Sequence, residues 1–339
     1  MLGAIRALAM GDSLSGDQAA EAFNAIMAGE ATAAQVSALL MGLRVKGETT
    51  LEVTGAARAL RRAMVRLDAD EAHALVDTCG TGGGTITTFN ISTAAALLAA
   101  GLGVRVAKHG NRSFTSQCGS ADVLEALGVP IDVDVDVMTR ALRDAGIVFM
   151  FAPLMHHAMR HVGPVRRELA IPTVMNIVGP LANPASAGRQ VLGVADRSRL
   201  SLLAGSLAAL GTVHALVVYG EPGLDEISPL GPTHVLEVRN GVVESWTIDP
   251  ATYGIAGVRP TDLAGGSPAR NAEIILELLG GRGKEAANAA VVLNTAAALY
   301  VGGATNTFAE GVSRAREGLD AGAGMVALAR LRSAYAATA

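Results

Sequence analysis

Over the first seventy residues, apolar side chains recur with the period of a helix rather than the alternation of a strand. Ala19, Phe23, Ile26 and Met27 form one stripe, Val36, Leu39, Leu40 and Leu43 a second, and Leu51, Val53, Leu60 and Met64 a third. Ser15 with Gln18 and Thr49 with Glu52 have the spacing of capping boxes, which places helix starts ahead of the first and third stripes. No reactive groups cluster in this segment, so it reads as a helical module buried against itself or against a second copy of the chain.

After Leu75 the pattern changes to short β-rich runs alternating with helical ones. Val104 to Ala107, Ile147 to Phe151, His214 to Val218 and His234 to Val238 predict strands; Thr93 to Ala100, Asp122 to Leu127 and Ala287 to Tyr300 predict helices. Such alternation specifies an α/β fold with a central, largely parallel sheet. The expected organisation is a small all-helical domain, residues 1–70, and a larger α/β domain, residues 71–339. Pro164, Pro172, Pro180 and Pro184, in a polar stretch spanning 162–185, mark a crossing between the two.

Composition narrows the function classes. Half of the 339 residues are hydrophobic, enough for a sizeable core, and aromatics are only 3%. The formal net charge of −4 gives no basic excess of the kind a nucleic-acid or anionic-membrane partner attracts, so a small-molecule substrate fits better. With only Cys79 and Cys118 the chain cannot carry a disulfide framework, which favours a reducing, cytoplasmic compartment. The first residues lack a basic stretch followed by an apolar one, and the longest apolar runs are broken by serine, glycine and histidine; neither a signal peptide nor a membrane span is expected.

The candidate chemistry begins at DTCGTGGGTITTFNIST, Asp77 to Thr93, with four glycines among Gly80 to Gly84. The third glycine of a dinucleotide fingerprint falls on Thr85, and no lysine completes a Walker A loop. What remains is either a tight structural turn or a loop whose N–H groups converge on an anion, followed by Thr88, Asn90, Ser92 and Thr93 near a helix start that favours negative charge. A second stretch, KHGNRSFTSQCGSADVLEALG from Lys108 to Gly128, reads as a loop with cations, hydroxyls and glycines ahead of another helix. Together the two suggest a pocket for a ligand with more than one phosphate. Asp225 and Glu226, adjacent in GLDEIS after a predicted strand, form either a solvated acidic turn or a site for oxygen-preferring Mg2+. His157 and His161 are four apart, but the glutamate of a zinc H-E-x-x-H motif is absent. Cys79 and Cys118 read as small reduced residues rather than a redox pair.

GTGG with NIST, KHGNR with GSADVLEALG, VRRELAIPTVMNIVGPLANP and GLDEIS resemble, in that order and over nearly the whole chain, the anthranilate phosphoribosyltransferases of tryptophan biosynthesis. The KHGNR block alone is similar also to pyrimidine nucleoside phosphorylases of the same fold. The resemblance implies a homodimer formed through the helical domain and an active site between the two domains. It implies transfer of the phosphoribosyl group of phosphoribosyl pyrophosphate (PRPP) to the amine of anthranilate, with Mg2+ on the departing pyrophosphate. Carried onto this chain, it implies PRPP contacts from Gly80, Gly83, Gly84, Thr88, Asn90, Ile91, Ser92, Thr93, Lys108, His109, Gly110, Asn111, Arg112, Ser113, Phe114, Thr115, Ser116 and Ser120. Anthranilate would meet Gly80, Asn111 and Arg166, and Mg2+ would meet Ser92, Asp225 and Glu226.

These roles suit the chemistry. Displacement at an anomeric carbon needs a positioned amine and a stabilised leaving group, not a covalent nucleophile. An aromatic amine is largely unprotonated at neutral pH, so no strong base is required; His109 is the nearest candidate to collect the proton, or simply hydrogen-bonds. The planar fork of Arg166 suits a carboxylate, while Arg167 pairs with Glu168 or faces solvent. The chain departs from the family pattern at Gly84, where an aspartate is usual, and at Thr115, Cys118 and His157. The alternatives are a related transferase with another amine acceptor, a nucleoside phosphorylase, and a non-catalytic nucleic-acid-binding relative. The last would need a basic groove and eroded metal carboxylates, and the phosphorylases carry an additional C-terminal domain.

Overall fold

The computed structural model describes residues 1–113 and 117–336. Four helices come first: α1 (Leu2–Ala9), α2 (Gly16–Met27), α3 (Ala33–Lys46) and α4 (Thr50–Ala63). The capping boxes expected at Ser15 and Thr49 both form, and a third, Thr32 with Gln35, opens α3. Every apolar residue of the first two stripes is buried. The third stripe differs at its first member, because Leu51 faces outward and the buried face begins at Glu52 and Val53. Glu52 is fully buried for a reason the capping pattern only partly conveys. Its carboxylate accepts from the Thr49 amide and hydroxyl, from the Leu14 amide at 2.9 Å and from Lys46 Nζ at 2.9 Å, so it ties the ends of three helices together.

Seven strands build one sheet: β1 (Val76–Gly80), β2 (Val106–Gly110), β3 (Ile147–Phe151), β4 (Arg189–Gly193), β5 (His214–Gly220), β6 (Thr233–Arg239) and β7 (Val242–Ile248). Their order is β3-β2-β1-β4-β5-β6-β7, parallel through β5 and antiparallel across β6 and β7. β3 spans the expected residues, and β5 and β6 extend slightly beyond theirs. β2 starts two residues later than expected and runs to Gly110, pairing with β3 throughout. Lys108 and His109 therefore sit on a strand, not in a loop. The helices of this part include α5 (Ile91–Gly101), α6 (Ser120–Ala126) and α7 (Val135–Ala145).

Alternation along the strands divides the interior in two. Val191, Leu216 and Val218 join the larger core, with α5, α7 and the long helix Glu285–Gly302. Leu192, Ala215 and Val217 point the other way, into a second core that also contains α2, α3 and α4. The proline-bearing stretch lies in that second core. It holds α9 (Gly163–Leu169) and α10 (Met175–Val178), and buries Val162, Val165, Val174, Met175, Ile177 and Val178 against the helical bundle, while α8 (Ala152–Met155), just before it, packs Met155 into the larger core. Among the described residues no helix is long and apolar enough to cross a membrane.

Candidate active site

The strand order reverses between β1 and β4, and in open α/β sheets such a switch point leaves a crevice at the carboxyl ends of the strands. Here those ends are glycines: Gly80, Gly110, Gly193 and Gly220 close β1, β2, β4 and β5, with Gly80 directly beside Gly193. The chain after β5 folds back through a bridge between Gly220 and Leu224 and brings Asp225 onto this pair. A Cβ on Gly193 would collide with the Asp225 carbonyl, and one on Gly80 with its carboxylate. A Cβ on Gly84 would come within 2.9 Å of the Gly223 carbonyl. Gly82 and Gly83 have φ of 69° and 80°, a conformation other residues rarely adopt, and the Gly82 amide donates to Asp225 Oδ2 at 2.8 Å. The bare backbone thus lets an acidic loop lie directly on a glycine loop.

Glu226 accepts from the amide of Ser92, at the start of α5, at 3.1 Å. Burial, then the neighbouring Asp225 charge, pushes its carboxyl up to about 8. Burial also raises Asp225. Lys108 lies beneath: its ammonium is buried and donates to the Thr78 carbonyl and to Ser92 Oγ at 3.4 Å. Its charge acts on Asp77 and Glu226 from inside the sheet. Ile91 and Thr93 are buried in the first turn of α5, while Thr88 bridges to Ala264.

The stretch after β2 curls over α6. Asp122 accepts from the amides of Gly119 and Ser113 and, with Glu125, from the Arg112 guanidinium at 2.8 and 2.6 Å. These acids raise the Arg112 pKa further. Ser120 Oγ donates to the Asn111 carbonyl. Asn90 is a strut: its amide donates to the Cys118 carbonyl, and its oxygen accepts from Asn271 at 2.9 Å. Phe114, Thr115 and Ser116 fall outside the described residues.

Arg166 lies on α9, part-buried, and forms no ion pair among the described residues; burial lowers its pKa. No hydrogen bond or ion pair among the described residues links its guanidinium to either loop. The sequence reading missed His156, which follows α8 and is buried against His109, their Nε2 atoms 3.1 Å apart. It also missed Asp77, whose Oδ1 accepts from the His109 amide, and Gln190, which donates to the Pro180 carbonyl and Cys79 Sγ. Glycines at the ends of successive strands were the one available signal for Gly193 and Gly220. His156 carried none, because its partner lies 47 residues away in the chain.

The donor set fits magnesium. Asp225 and Glu226 are half-buried oxygen donors whose carboxyls are raised by desolvation, a cost that a cation would offset, and Ser92 adds a hydroxyl beside them. Among the described residues no cluster of three histidine, cysteine or acidic side chains offers a different, all-protein cage.

This pairing of a helical bundle with an α/β unit agrees with two family models that the chain matches. Residues 3–64 match the helical bundle domain and residues 72–325 the a/b domain of a glycosyl transferase family. The chain is 47% identical to the anthranilate phosphoribosyltransferase of Rubrobacter xylanophilus over 96% of its own length and 95% of the relative's. It is 48% identical to that of Pelotomaculum thermopropionicum, with 97% and 94% covered. The crystal structure of the Thermus thermophilus enzyme superposes with a TM-score of 0.93 at 40% identity, covering 98% of this chain and 99% of that one. The Saccharomyces cerevisiae enzyme, solved in complex with PRPP and Mg, gives 0.90 at 27% identity, with 99% and 98% covered. The chain belongs to the anthranilate phosphoribosyltransferase family.

Proposed function

We propose that this protein transfers the phosphoribosyl group of PRPP to the amine of anthranilate, giving N-(5-phosphoribosyl)anthranilate and pyrophosphate in tryptophan biosynthesis. The observation that carries the reading is the half-buried Asp225–Glu226 pair, seated on the glycine loop at the switch point of a chain with family likeness over almost its full length. Mg2+, held by Ser92, Asp225 and Glu226, neutralises the charge that develops on pyrophosphate as it leaves. The protein's own part is placement. Backbone amides from Gly80 to Gly84 and the start of α5, with Thr88 and Asn90 to Thr93, flank the phosphates. Asn111, Ser113, Ser120 and the stretch 114–116 hold the remaining phosphate and ribose. Lys108 acts from below as an internal cation, and Arg112 through its acid-bound loop rather than as a free charge.

Anthranilate enters between α8, α9 and β2. Arg166, a part-buried cation with no acid partner among the described residues, is the group available for its carboxylate. Asn111 and Gly80 border the same space. Exposed Leu2, Met10 and Val45, on or beside the mutually packed α1 and α3, support association of two copies through the helical domain, and two free cysteines suit a cytoplasmic setting.

The test is loss of anthranilate fluorescence on mixing the purified protein with PRPP and Mg2+, run beside a nucleoside phosphorolysis assay. Activity in the first and none in the second is the expected result; the reverse would replace the reading with a phosphorylase.

A further inference from the structure

The main chain that carries the two acids is held at three successive points. The Asp225 carbonyl lies where a Cβ on Gly193 would sit, and the Glu226 carbonyl crowds the same position of Gly220. At the third point a side chain does the holding. Asn294, in the middle of the long helix Glu285–Gly302, accepts from the Ile227 amide through Oδ1 and donates to the Ile227 carbonyl through Nδ2, both at 2.9 Å. Neither group of Ile227 has a backbone partner among the described residues. Nδ2 also donates to the Ala290 carbonyl one turn back, again at 2.9 Å, which uses its second proton and fixes the side chain on the helix. An amide N–H only donates and a carbonyl only accepts, so these partners allow the Asn294 amide one orientation.

We propose that Asn294 is a positioning residue for the magnesium site: by clamping both main-chain groups of Ile227 it fixes the backbone on which Asp225 and Glu226 stand. The inference rests on the transferase reading above, in which Ser92, Asp225 and Glu226 take the ion. The need for a clamp is electrostatic. Adjacent carboxylates repel each other, and the Asp225 charge acts on Glu226, so an unsupported loop would relax by turning one acid out to water. A loop whose backbone is held keeps the two together for a cation, and outer supports of this kind set metal affinity.

The support is rigid because its helix is. Val291, Val292, Leu293 and Ala296 to Leu299 are all buried. Asn294 is itself only 3% exposed, so its part is support and not contact with substrate. It lines the same small cavity as Ser92 and Glu226, and the neighbouring Thr295 hydroxyl donates to the Ala95 carbonyl of α5 at 3.5 Å. One helix thus braces both the acidic loop and the helix whose first turn bears Ser92.

Two substitutions test the clamp. Asn294→Leu keeps the bulk and removes the bonds; Asn294→Asp keeps the shape but turns an oxygen toward two carbonyls. In the metal-free protein, hydrogen exchange of the Ile227 amide, followed by NMR, is expected to be at least about tenfold faster in Asn294→Leu while the amides of β5 keep their protection. Mn2+ binding, read by electron paramagnetic resonance with and without PRPP, is expected to weaken about tenfold in both variants. The magnesium concentration giving half the maximal rate should rise in step, with the anthranilate KM unchanged. Leu293→Ala, equally buried but with no group to hold a backbone, is the control, expected to lower the melting temperature and leave Mn2+ affinity intact. Thermal melts separate loss of fold from loss of binding, and Asn294→Ala, which removes the clamp without new bulk, replaces Asn294→Leu if the latter does not fold. A folded clamp variant with wild-type Mn2+ affinity or unchanged Ile227 exchange overturns the proposal alone, as does a Leu293→Ala protein that loses Mn2+ equally. A wild type that takes up no Mn2+ overturns the metal reading beneath it, and the role of Asn294 with it.

Discussion

At Gly193 a methyl group would meet the backbone of Asp225, and at Gly80 it would meet the Asp225 carboxylate. The two clashes differ in kind. A carboxylate can rotate aside, whereas a carbonyl can move only with its loop. Gly80→Ala is therefore expected to keep the fold and weaken Mg2+ binding, measured by calorimetry, while Gly193→Ala also lowers the melting temperature; equal and negligible effects from both would show that the acidic loop is not seated as described. The same logic bears on Gly84: a side chain there crowds the Gly223 carbonyl at 2.9 Å, so Gly84→Asp should alter the magnesium dependence of the rate by moving the acidic loop as well as by adding charge. Removing the charges directly, by Asp225→Asn with Glu226→Gln, is expected to cripple turnover at saturating PRPP, because the lost interaction is strongest as the leaving group develops charge. The buried histidines add a pH effect. Both rings have an ordinary value of 6.5 and fall to about 3 and about 4 when folded, so between these limits the unfolded chain binds more protons. Stability should thus decline as pH falls from about 6.5 toward 4, by up to about 1.4 kcal/mol per pH unit for each ring. Urea unfolding across that range should show a shallower decline in a His109→Asn, His156→Asn variant; parallel slopes would refute the assignment.

Elements whose pattern is local could be read from the sequence, and those that depend on distant partners could not. The stripes of α2 and α3 lie wholly inside, and β3 has the residues its apolar run implied. β1 and β4 escaped notice because Asp77 and Thr78 interrupt the one and Arg189 and Gln190 open the other, and the partners that satisfy these come from elsewhere: Asp77 from the His109 amide, Arg189 from the Val301 carbonyl, Gln190 from Pro180. In the site, the loops and the acidic pair were recognisable as chemistry, whereas the inward aim of Lys108 was hidden by taking its strand for a loop. Glu52 shows the same limit within a helix. Its capping spacing was visible, but its bonds to Leu14 and Lys46 were not. Since Glu52→Ala would strand the Lys46 ammonium and two backbone amides, it should cost about 3 kcal/mol, well above the ~1 kcal/mol of an exposed cap such as Thr32→Ala. Urea midpoints with unchanged slopes would establish the difference, and equal losses would reduce Glu52 to an ordinary cap.

At the scale of the whole molecule, the helical bundle does not rest on a finished α/β unit; it completes one. Leu192, Ala215 and Val217 alternate out of the larger core, and the same second core contains Leu200, Leu203 and Leu207 of the helix Leu200–Ala209, the stretch from Val162 to Val178, and Phe23, Leu39, Leu40 and Leu60 of the bundle. Residues 71–336 alone would keep the sheet and its glycine-ended strands but expose the apolar face that the helix Leu200–Ala209, α9 and α10 turn toward α3 and α4. Exposed apolar patches of that kind favour association over a stable monomer. The intact chain is accordingly expected to unfold in one calorimetric transition, while the fragment 71–336 should aggregate or unfold without cooperativity and bind no Mg2+-PRPP. The same burial predicts that Leu40→Ala, in the bundle and remote in sequence from both loops, lowers the melting temperature of the whole protein, since a fully buried leucine cut to alanine costs about 2–5 kcal/mol. A monodisperse fragment with a melting temperature near that of the intact protein would show instead that the α/β part folds alone and that the bundle is an attachment to it.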